Sequence, residues 1–233
     1  MRLLLFSNST KAGEEYLSYA GTYINKLNFG NRNNACFIPF AGVSISYDNY
    51  FEKVQEALPA LKVASVHNAD NPVELLQLSD IIIVGGGNTF HLLYQLQKLN
   101  LMEPIKQEVL KGKTYIGWSA GSNLACPTIC TTNDMPIVQP KSFKGFGFVP
   151  FQINPHYTDA TLHNHGGESR DDRINEYLQL NKDKYVVGLR EGTMFDITEE
   201  DINLNGAFTS KIFKYGSESK ELKPGDNFNF LLS

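Results

Sequence analysis

The chain has no apolar stretch approaching the roughly 20 residues that a bilayer-spanning helix needs, so no membrane partner is expected. Its opening run, Met1 to Phe6, is too short for the apolar core of a secretory leader and passes straight into Ser7-Asn8-Ser9, so it reads as a first buried strand. Cysteine is scarce: Cys36, Cys126 and Cys130 form an odd set without a zinc spacing. That argues against a disulfide framework and for free thiols in a reducing, cytoplasmic setting. Lys and Arg are scattered, and a net charge of -4 offers no footprint for nucleic acid. Internal repeats, low-complexity tracts and linkers are also missing. What is present is a chain of 233 residues, 42% hydrophobic, enough to bury a full core as one α/β domain over 1–233.

Short β-rich runs alternate with longer helical patterns, which predicts a parallel sheet covered by helices on both faces. Strands are expected at Leu3 to Phe6, Ala35 to Pro39, Lys62 to Val66, Ile81 to Val84, Thr114 to Gly117 and Tyr185 to Leu189. Helices are expected over Gly13 to Leu27, Tyr47 to Leu58, Val73 to Leu78, Thr89 to Leu110 with a break near Asn100, and Ser169 to Leu180. In the fourth of these, Phe90, Leu93, Tyr94 and Gln97 keep the helical period, and Leu92, Leu96 and Leu99 widen its stripe. A loose Gly/Phe-rich stretch runs from Phe143 to Phe151, and long loops of that kind are more often functional than idle. After Met194, turns at Asn205-Gly206 and Tyr215-Gly216-Ser217 separate apolar runs, so the tail reads as antiparallel strands added at one edge of the sheet.

The stretch that points to chemistry is Gly117-Trp118-Ser119-Ala120-Gly121, which follows the apolar run Thr114-Tyr115-Ile116 and opens a short helix-compatible segment. A G-x-S-x-G at a strand-turn-helix junction holds its serine in a strained conformation, exposed at the sheet edge, and glycines two places either side leave room for the turn. The Ala120 amide would then stand at a helix start, where unpaired N–H groups favour a developing oxyanion. A serine hydroxyl needs a base, usually an imidazole oriented by a carboxylate. Of five histidines, His67 ends a strand and His91 lies in an amphipathic helix, both ordinary structural positions. His163 and His165 sit in a polar Gly-rich stretch that reads as solvated loop. His156 follows Gln152-Ile153-Asn154-Pro155, where the Asn-Pro pair restricts the backbone just before the ring. His156, His163 and His165 lack the helix and spacing of a zinc motif, so no metal is expected.

Two acids could orient the base. Asp134 gives the chain order Ser, Asp, His; Glu191, at the end of the strand Tyr185 to Leu189, gives Ser, His, Glu, and its place at a strand's C-terminal end favours it. Either could equally be a capping or turn carboxylate. Gly85-Gly86-Gly87-Asn88 closes another strand, but Phe90 stands where a dinucleotide loop needs its third glycine, and no G-K-[ST] follows. Consecutive glycines there suit a second oxyanion arm, because they let backbone N–H groups approach a carbonyl oxygen.

Together, Leu5-Phe6-Ser7-Asn8-Ser9, Phe37-Ile38-Pro39-Phe40-Ala41-Gly42, Ile83 to Phe90, Ile116 to Gly121, Thr131-Thr132-Asn133-Asp134-Met135-Pro136 and Gln152 to His156 resemble the peptidase E family of α-aspartyl dipeptidases. The resemblance runs from about residue 3 to 192. It implies a flavodoxin-like α/β fold related to class I glutamine amidotransferases, with serine in place of their cysteine. It also implies hydrolysis of small peptides with N-terminal aspartate, Asp-Xaa, without metal or cofactor. Ser119 would be the nucleophile, His156 the base, Glu191 or Asp134 its orienter, and the amides of Gly87 and Ala120 the oxyanion donors. Gly167-Glu168-Ser169-Arg170 resembles the family segment that supplies an arginine, so Arg170, assisted by Asn88, would clamp the substrate carboxylate. Arg190 departs from the small residue or proline expected before Glu191, and the strands after Thr193 match weakly. The competing readings are a cyanophycinase-like β-aspartyl peptidase, for which no acidic cluster suited to a guanidinium stands out, and an inactive binding module of the same fold. The chain is expected to act as a monomer or homodimer.

Overall fold

Apolar runs of four or five residues, too short for helices and rich in β-branched types, become the strands of the core. The computed structural model describes residues 1–27, 29–160 and 166–232. In chain order they form β1 (Arg2–Phe6), α1 (Ser18–Lys26), β2 (Asn34–Ile38), α2 (Tyr47–Ala57), β3 (Lys62–Ser65), α3 (Pro72–Leu78), β4 (Ile81–Val84), α4 (Thr89–Lys98), α5 (Met102–Leu110), β5 (Thr114–Trp118) and α6 (Ala120–Leu124). Then follow β6 (Gln152–Tyr157), α7 (Arg170–Leu180), β7 (Tyr185–Arg190), β8 (Thr193–Ile197), β9 (Ile202–Gly206), β10 (Ser210–Lys214) and β11 (Lys220–Leu222). The main sheet has the order β3-β2-β4-β5-β1-β8-β9, parallel as far as β1 and antiparallel beyond it.

Side chains alternate across this sheet, and both faces are covered. Leu3, Leu5, Ile82, Val84 and Tyr115 pack on one face with Leu92, Leu93 and Leu96 of α4 and Ile105 and Val109 of α5. Leu4, Phe6, Ile81, Ile83, Ile116 and Trp118 pack on the other with Ala20 and Ile24 of α1 and Tyr50 and Val54 of α2. The α/β architecture expected from the alternation is present. The break near Asn100 is too, with that residue at φ 54 between α4 and α5. Among the described residues no helix is long and apolar enough to cross a membrane.

Two expectations need correction. The first helix starts at Ser18, not Gly13, because Leu17 adopts φ 56 and returns its N–H to Ser9 at 3.1 Å. A left-handed leucine cannot continue a right-handed helix backward. The tail does not add all its strands to one edge: β8 and β9 extend the main sheet, whereas β10 and β11 join β7 and β6 in a second sheet of order β11-β10-β7-β6. Only Glu191 and Gly192, the latter at φ +77, separate β7 from β8, so the chain turns from one sheet into the other at a tight corner.

Arg190, the last residue of β7, ties that corner down. Its guanidinium bonds both carboxylate oxygens of Glu221 on β11 at 2.8 Å and Asp159 at 2.5 Å, and it lies 5.2 Å from the Tyr157 ring centroid. The hydrogen bonds from Arg190 hold the Glu221 carboxyl below its ordinary value, against the opposing effect of burial. A carboxylate depressed in the folded state stabilises the protein above its unfolded value and loses that contribution as pH falls through the folded one. Glu221→Gln is therefore expected to lower stability at pH 7, by about 1 kcal/mol, since the Glu221 side chain is 44% exposed. Urea midpoints of the two proteins should converge in acid, below the folded Glu221 value.

Candidate active site

The site forms where β4, β5 and β1 end together. At the end of β5, Ser119 sits at φ 53, ψ -111 immediately before α6, a conformation that side chains rarely adopt. Neighbouring glycines make the turn possible. A methyl at Gly121 would lie 2.2 Å from the Val84 carbonyl oxygen, and one at Gly117 would lie 2.7 Å from the Gly121 backbone. The Ser122 hydroxyl braces the far side, bonding the carbonyls of Phe6 at 2.7 Å and Gly117 at 2.8 Å. Ala120 is the first residue of α6, so its N–H has no partner by helical position.

His156 arrives from the second sheet. It stands at φ 53 where the pairing of β6 with β7 shifts register between Asn154 and Tyr157. Its N–H donates to Ser7 Oγ at 2.9 Å, and that hydroxyl donates to the Leu189 carbonyl at 2.7 Å. Ser7 thereby joins β1, β6 and β7 at one atom. The ring lies between Ser119 Oγ, 2.9 Å from Nε2, and Glu191 Oε1, 2.7 Å from Nδ1. An ionised carboxylate can only accept, so Nδ1 carries the proton and Nε2 is left to accept the serine hydroxyl. Asn8 holds the corner bearing Glu191: its Oδ1 accepts from the Gly192 N–H at 2.9 Å.

The structure brings Glu191, and not Asp134, to the imidazole. Asp134 Oδ2 accepts from the Thr89 N–H at 2.7 Å, the Thr89 hydroxyl at 2.6 Å and the Thr132 hydroxyl at 3.0 Å, anchoring the start of α4. Asn88 caps the same helix: its Oδ1 accepts from the His91 N–H at 2.9 Å, and its Nδ2 donates to the Met135 carbonyl at 2.8 Å. Arg170, at the start of α7, donates to Asn133 Oδ1, which also accepts from Asn154 Nδ2 at 2.7 Å. Partial burial and the nearby Arg173 lower the Arg170 pKa, with the charge of Asp134 opposing them. Asn88 and Arg170 both engage the loop of residues 131–136, to which Asp134 belongs.

Gly86, Gly87 and Asn88 line, together with Ser119, a cleft of ≈ 600 Å³ whose walls also include Tyr16, Tyr50 and Lys53. Gly87 takes φ +134, and a methyl there would lie 2.2 Å from the Ala41 carbonyl oxygen. Among the described residues its N–H has no acceptor. Tyr16, Tyr50 and Lys53 carry no motif, and Ser7 lies in a block that resembles the family without marking the hydroxyl's role. His91 bonds the Phe40 carbonyl at 2.7 Å, and His67 lies between Ser65 and Asp48, the structural positions expected of them. His163 and His165 lie outside the described residues. Among the described residues no three His, Cys, Asp or Glu side chains gather as a metal set.

The profile of peptidase family S51 matches residues 3–205. Peptidase E of Nostoc sp. is 49% identical over 233 residues, covering 99% of this chain and 96% of that protein. Peptidase E of Salmonella arizonae is 46% identical over 231 residues, covering 98% and 100%. Among solved structures, a peptidase from an acI-B1 actinobacterium superposes with a TM-score of 0.70 at 20% identity, covering 97% of this chain and 96% of that one. A putative peptidase E protein from Listeria monocytogenes superposes at 0.64 with 22% identity, over 88% and 98%. These two structures share the fold.

The contact between Gly121 and Val84 yields a direct test. Gly121→Ala is expected to cost about 1–3 kcal/mol of stability, because backbone cannot yield to a methyl as a flexible side chain can. Denaturant unfolding measures it, and Gly112→Ala, where a methyl would have open space, sets the scale for a glycine whose positive φ alone is perturbed.

Proposed function

The chain belongs to peptidase family S51, and from that premise we propose that it is a serine-type dipeptidase that removes N-terminal aspartate from Asp-Xaa. The observation that carries this reading is the line Glu191, His156, Ser119, joined at 2.7 and 2.9 Å. Ser119 Oγ attacks the scissile carbonyl while His156 Nε2 takes its proton, and Glu191 keeps the proton on Nδ1 and stabilises the imidazolium that forms. The oxyanion settles between the amides of Gly87 and Ala120. As the tetrahedral centre collapses, His156 passes the proton to the leaving amine, and water then cleaves the aspartyl ester by the same route in reverse.

Selectivity rests on charge. Arg170, with Asn88, supplies the donors for the aspartate side-chain carboxylate. Among the described residues the lining beside Ser119 holds one acid, Asp134, and one lysine, Lys53, while Arg170 is not part of that lining and bonds Asn133; Asp134 and Lys53 match the free ammonium and the free carboxylate of an unblocked dipeptide. Asp134 Oδ1 has no partner among the described residues and can accept from that ammonium. Glu191, in this reading, is the orienter of His156.

Release of aspartate from Asp-Leu, with β-Asp-Leu, Glu-Leu and acetyl-Asp-Leu alongside, tests the proposal. The expected result is cleavage of Asp-Leu alone, abolished by Ser119→Ala. For Arg170→Gln, kcat/KM on Asp-Leu should fall by about 10²-fold or more, the loss expected when one partner of a charged pair is removed. Preference for β-Asp-Leu would move the chain to the cyanophycinase-like reading, and a folded protein that cleaves nothing would leave the binding module.

A further inference from the structure

The Gly86–Gly87 peptide is a place where this site could easily be wrong. Glycine on both sides removes the Cβ contacts that normally bias a peptide toward one orientation, so its plane must be held by something else. The loop is fixed at its two ends, where the Gly85 N–H donates to the Ile38 carbonyl at 3.1 Å and the Asn88 N–H donates to the Ala41 carbonyl at 2.8 Å. Between those anchors, the one hydrogen bond made by the Gly86–Gly87 peptide among the described residues comes from the Tyr50 hydroxyl on α2, which donates to the Gly86 carbonyl at 2.9 Å.

That hydroxyl has little choice of direction. Trp118 Nε1, a donor only, bonds to Tyr50 Oη at 3.1 Å, so the single phenolic proton points elsewhere; among the described residues the nearby Tyr16 hydroxyl makes no hydrogen bond, and the Gly86 carbonyl, which can only accept, takes it. The phenol is rigidly seated: Tyr50 is 6% exposed and packs edge-on against Phe37 at 5.1 Å, while Phe37 stacks on Trp118 at 6.2 Å. A methyl at Gly85 would lie 2.5 Å from Tyr50 Oη, so the glycine there is what lets the hydroxyl come so near. A trans peptide is planar, with its C=O and N–H pointing in opposite directions, and no cis bond occurs among the described residues. With the Gly86 carbonyl turned to Tyr50, the Gly87 N–H is turned away from it, and among the described residues it has no acceptor. A flipped peptide would instead present a carbonyl oxygen to the developing oxyanion.

We propose that Tyr50 is a positioning residue that locks the Gly86–Gly87 peptide in the one orientation able to serve as an oxyanion donor before substrate arrives. The inference rests on the serine mechanism proposed above and adds to it the residue that prepares the hole. Trp118, next to the nucleophile, takes part through the proton direction it imposes, so elbow and glycine loop are coupled through one phenol.

Tyr50→Phe keeps the ring and removes the donor. For Asp-Leu it is expected to lower kcat by about 10–100-fold, the range for weakening one oxyanion donor, with KM changed by less than about 3-fold. The acid limb of the kcat/KM profile should not move, because His156 and Glu191 are untouched. Affinity for an aspartyl aldehyde, whose hemiacetal with Ser119 needs the hole, should fall by a factor similar to kcat. Binding of Asp-Leu itself to the Ser119→Ala, Tyr50→Phe double variant should match that to Ser119→Ala alone. Placing p-aminophenylalanine at 50, which restores an N–H donor, should recover most of kcat. Wild-type kcat and aldehyde affinity in Tyr50→Phe, with Ser119→Ala inactive, would overturn the positioning role and leave the serine mechanism standing. So would a p-aminophenylalanine protein that is folded yet as slow as the Phe variant. Retained activity in Ser119→Ala would instead overturn the underlying mechanism.

Discussion

Everything at this site depends on how closely backbone meets backbone at the ends of β4 and β5. A methyl at Gly121 would stand 2.2 Å from the Val84 carbonyl, and one at Gly86 would stand 2.8 Å from the Trp118 ring. With only hydrogens in between, the serine turn and the glycine loop become adjoining walls of one cleft. The strained conformation of Ser119 survives because its surroundings over-determine it. Its N–H donates to the Phe6 carbonyl at 3.1 Å, and the Asn123 N–H closes the next turn back to its own carbonyl at 3.0 Å. The strain belongs to the geometry that exposes the hydroxyl, and neighbouring strands hold it there.

His156 and Glu191 come from a different sheet, and their registration against Ser119 is a problem of joining two layers. Two polar groups at the end of β1, with a third on α6, solve it. The Ser7 hydroxyl spans His156 and Leu189, and the Asn8 side chain holds the Gly192 N–H. The fully buried Asn123 of α6 donates to the Ile153 carbonyl at 2.8 Å, linking the helix after Ser119 to the strand that carries His156. Buried polar bonds of this kind specify a unique arrangement because leaving any of them unmade is costly. Arg190 completes the junction from the outer side. A charged residue before Glu191, unexpected on resemblance, is accommodated by Asp159, Glu221 and the Tyr157 ring.

Much of this was legible in the order of residues, for identifiable reasons. β-branched runs ending in glycines gave β4 and β5, the G-x-S-x-G spacing gave the elbow, and Asn-Pro before His156 singled out that histidine. The pattern runs the first helix back to Gly13 because nothing in Gly13 to Leu17 announces a left-handed leucine. The second sheet was not separated from the first, since the pairing of β6, β7, β10 and β11 joins segments far apart in sequence and short antiparallel runs look alike at any edge. The choice between Asp134 and Glu191 could be weighted by position but not decided: each is a carboxylate beside an element end, and only the folded chain puts one against Nδ1 and the other against Thr89. The roles of Tyr50 and of Ser7 are not legible, the first standing in no motif and the second in a matching block that does not mark its hydroxyl, because they arise from contacts 36 and 149 positions away.

The central claim is that Ser119 is a nucleophile made reactive by its place in the fold. Labelling with a small fluorophosphonate, with the adduct located by peptide mass spectrometry, measures that directly. The expected result is a single adduct on Ser119 in the native protein, lost on denaturation and strongly slowed in His156→Gln. An unlabelled native Ser119, or labelling as fast in His156→Gln as in the wild type, would contradict the account.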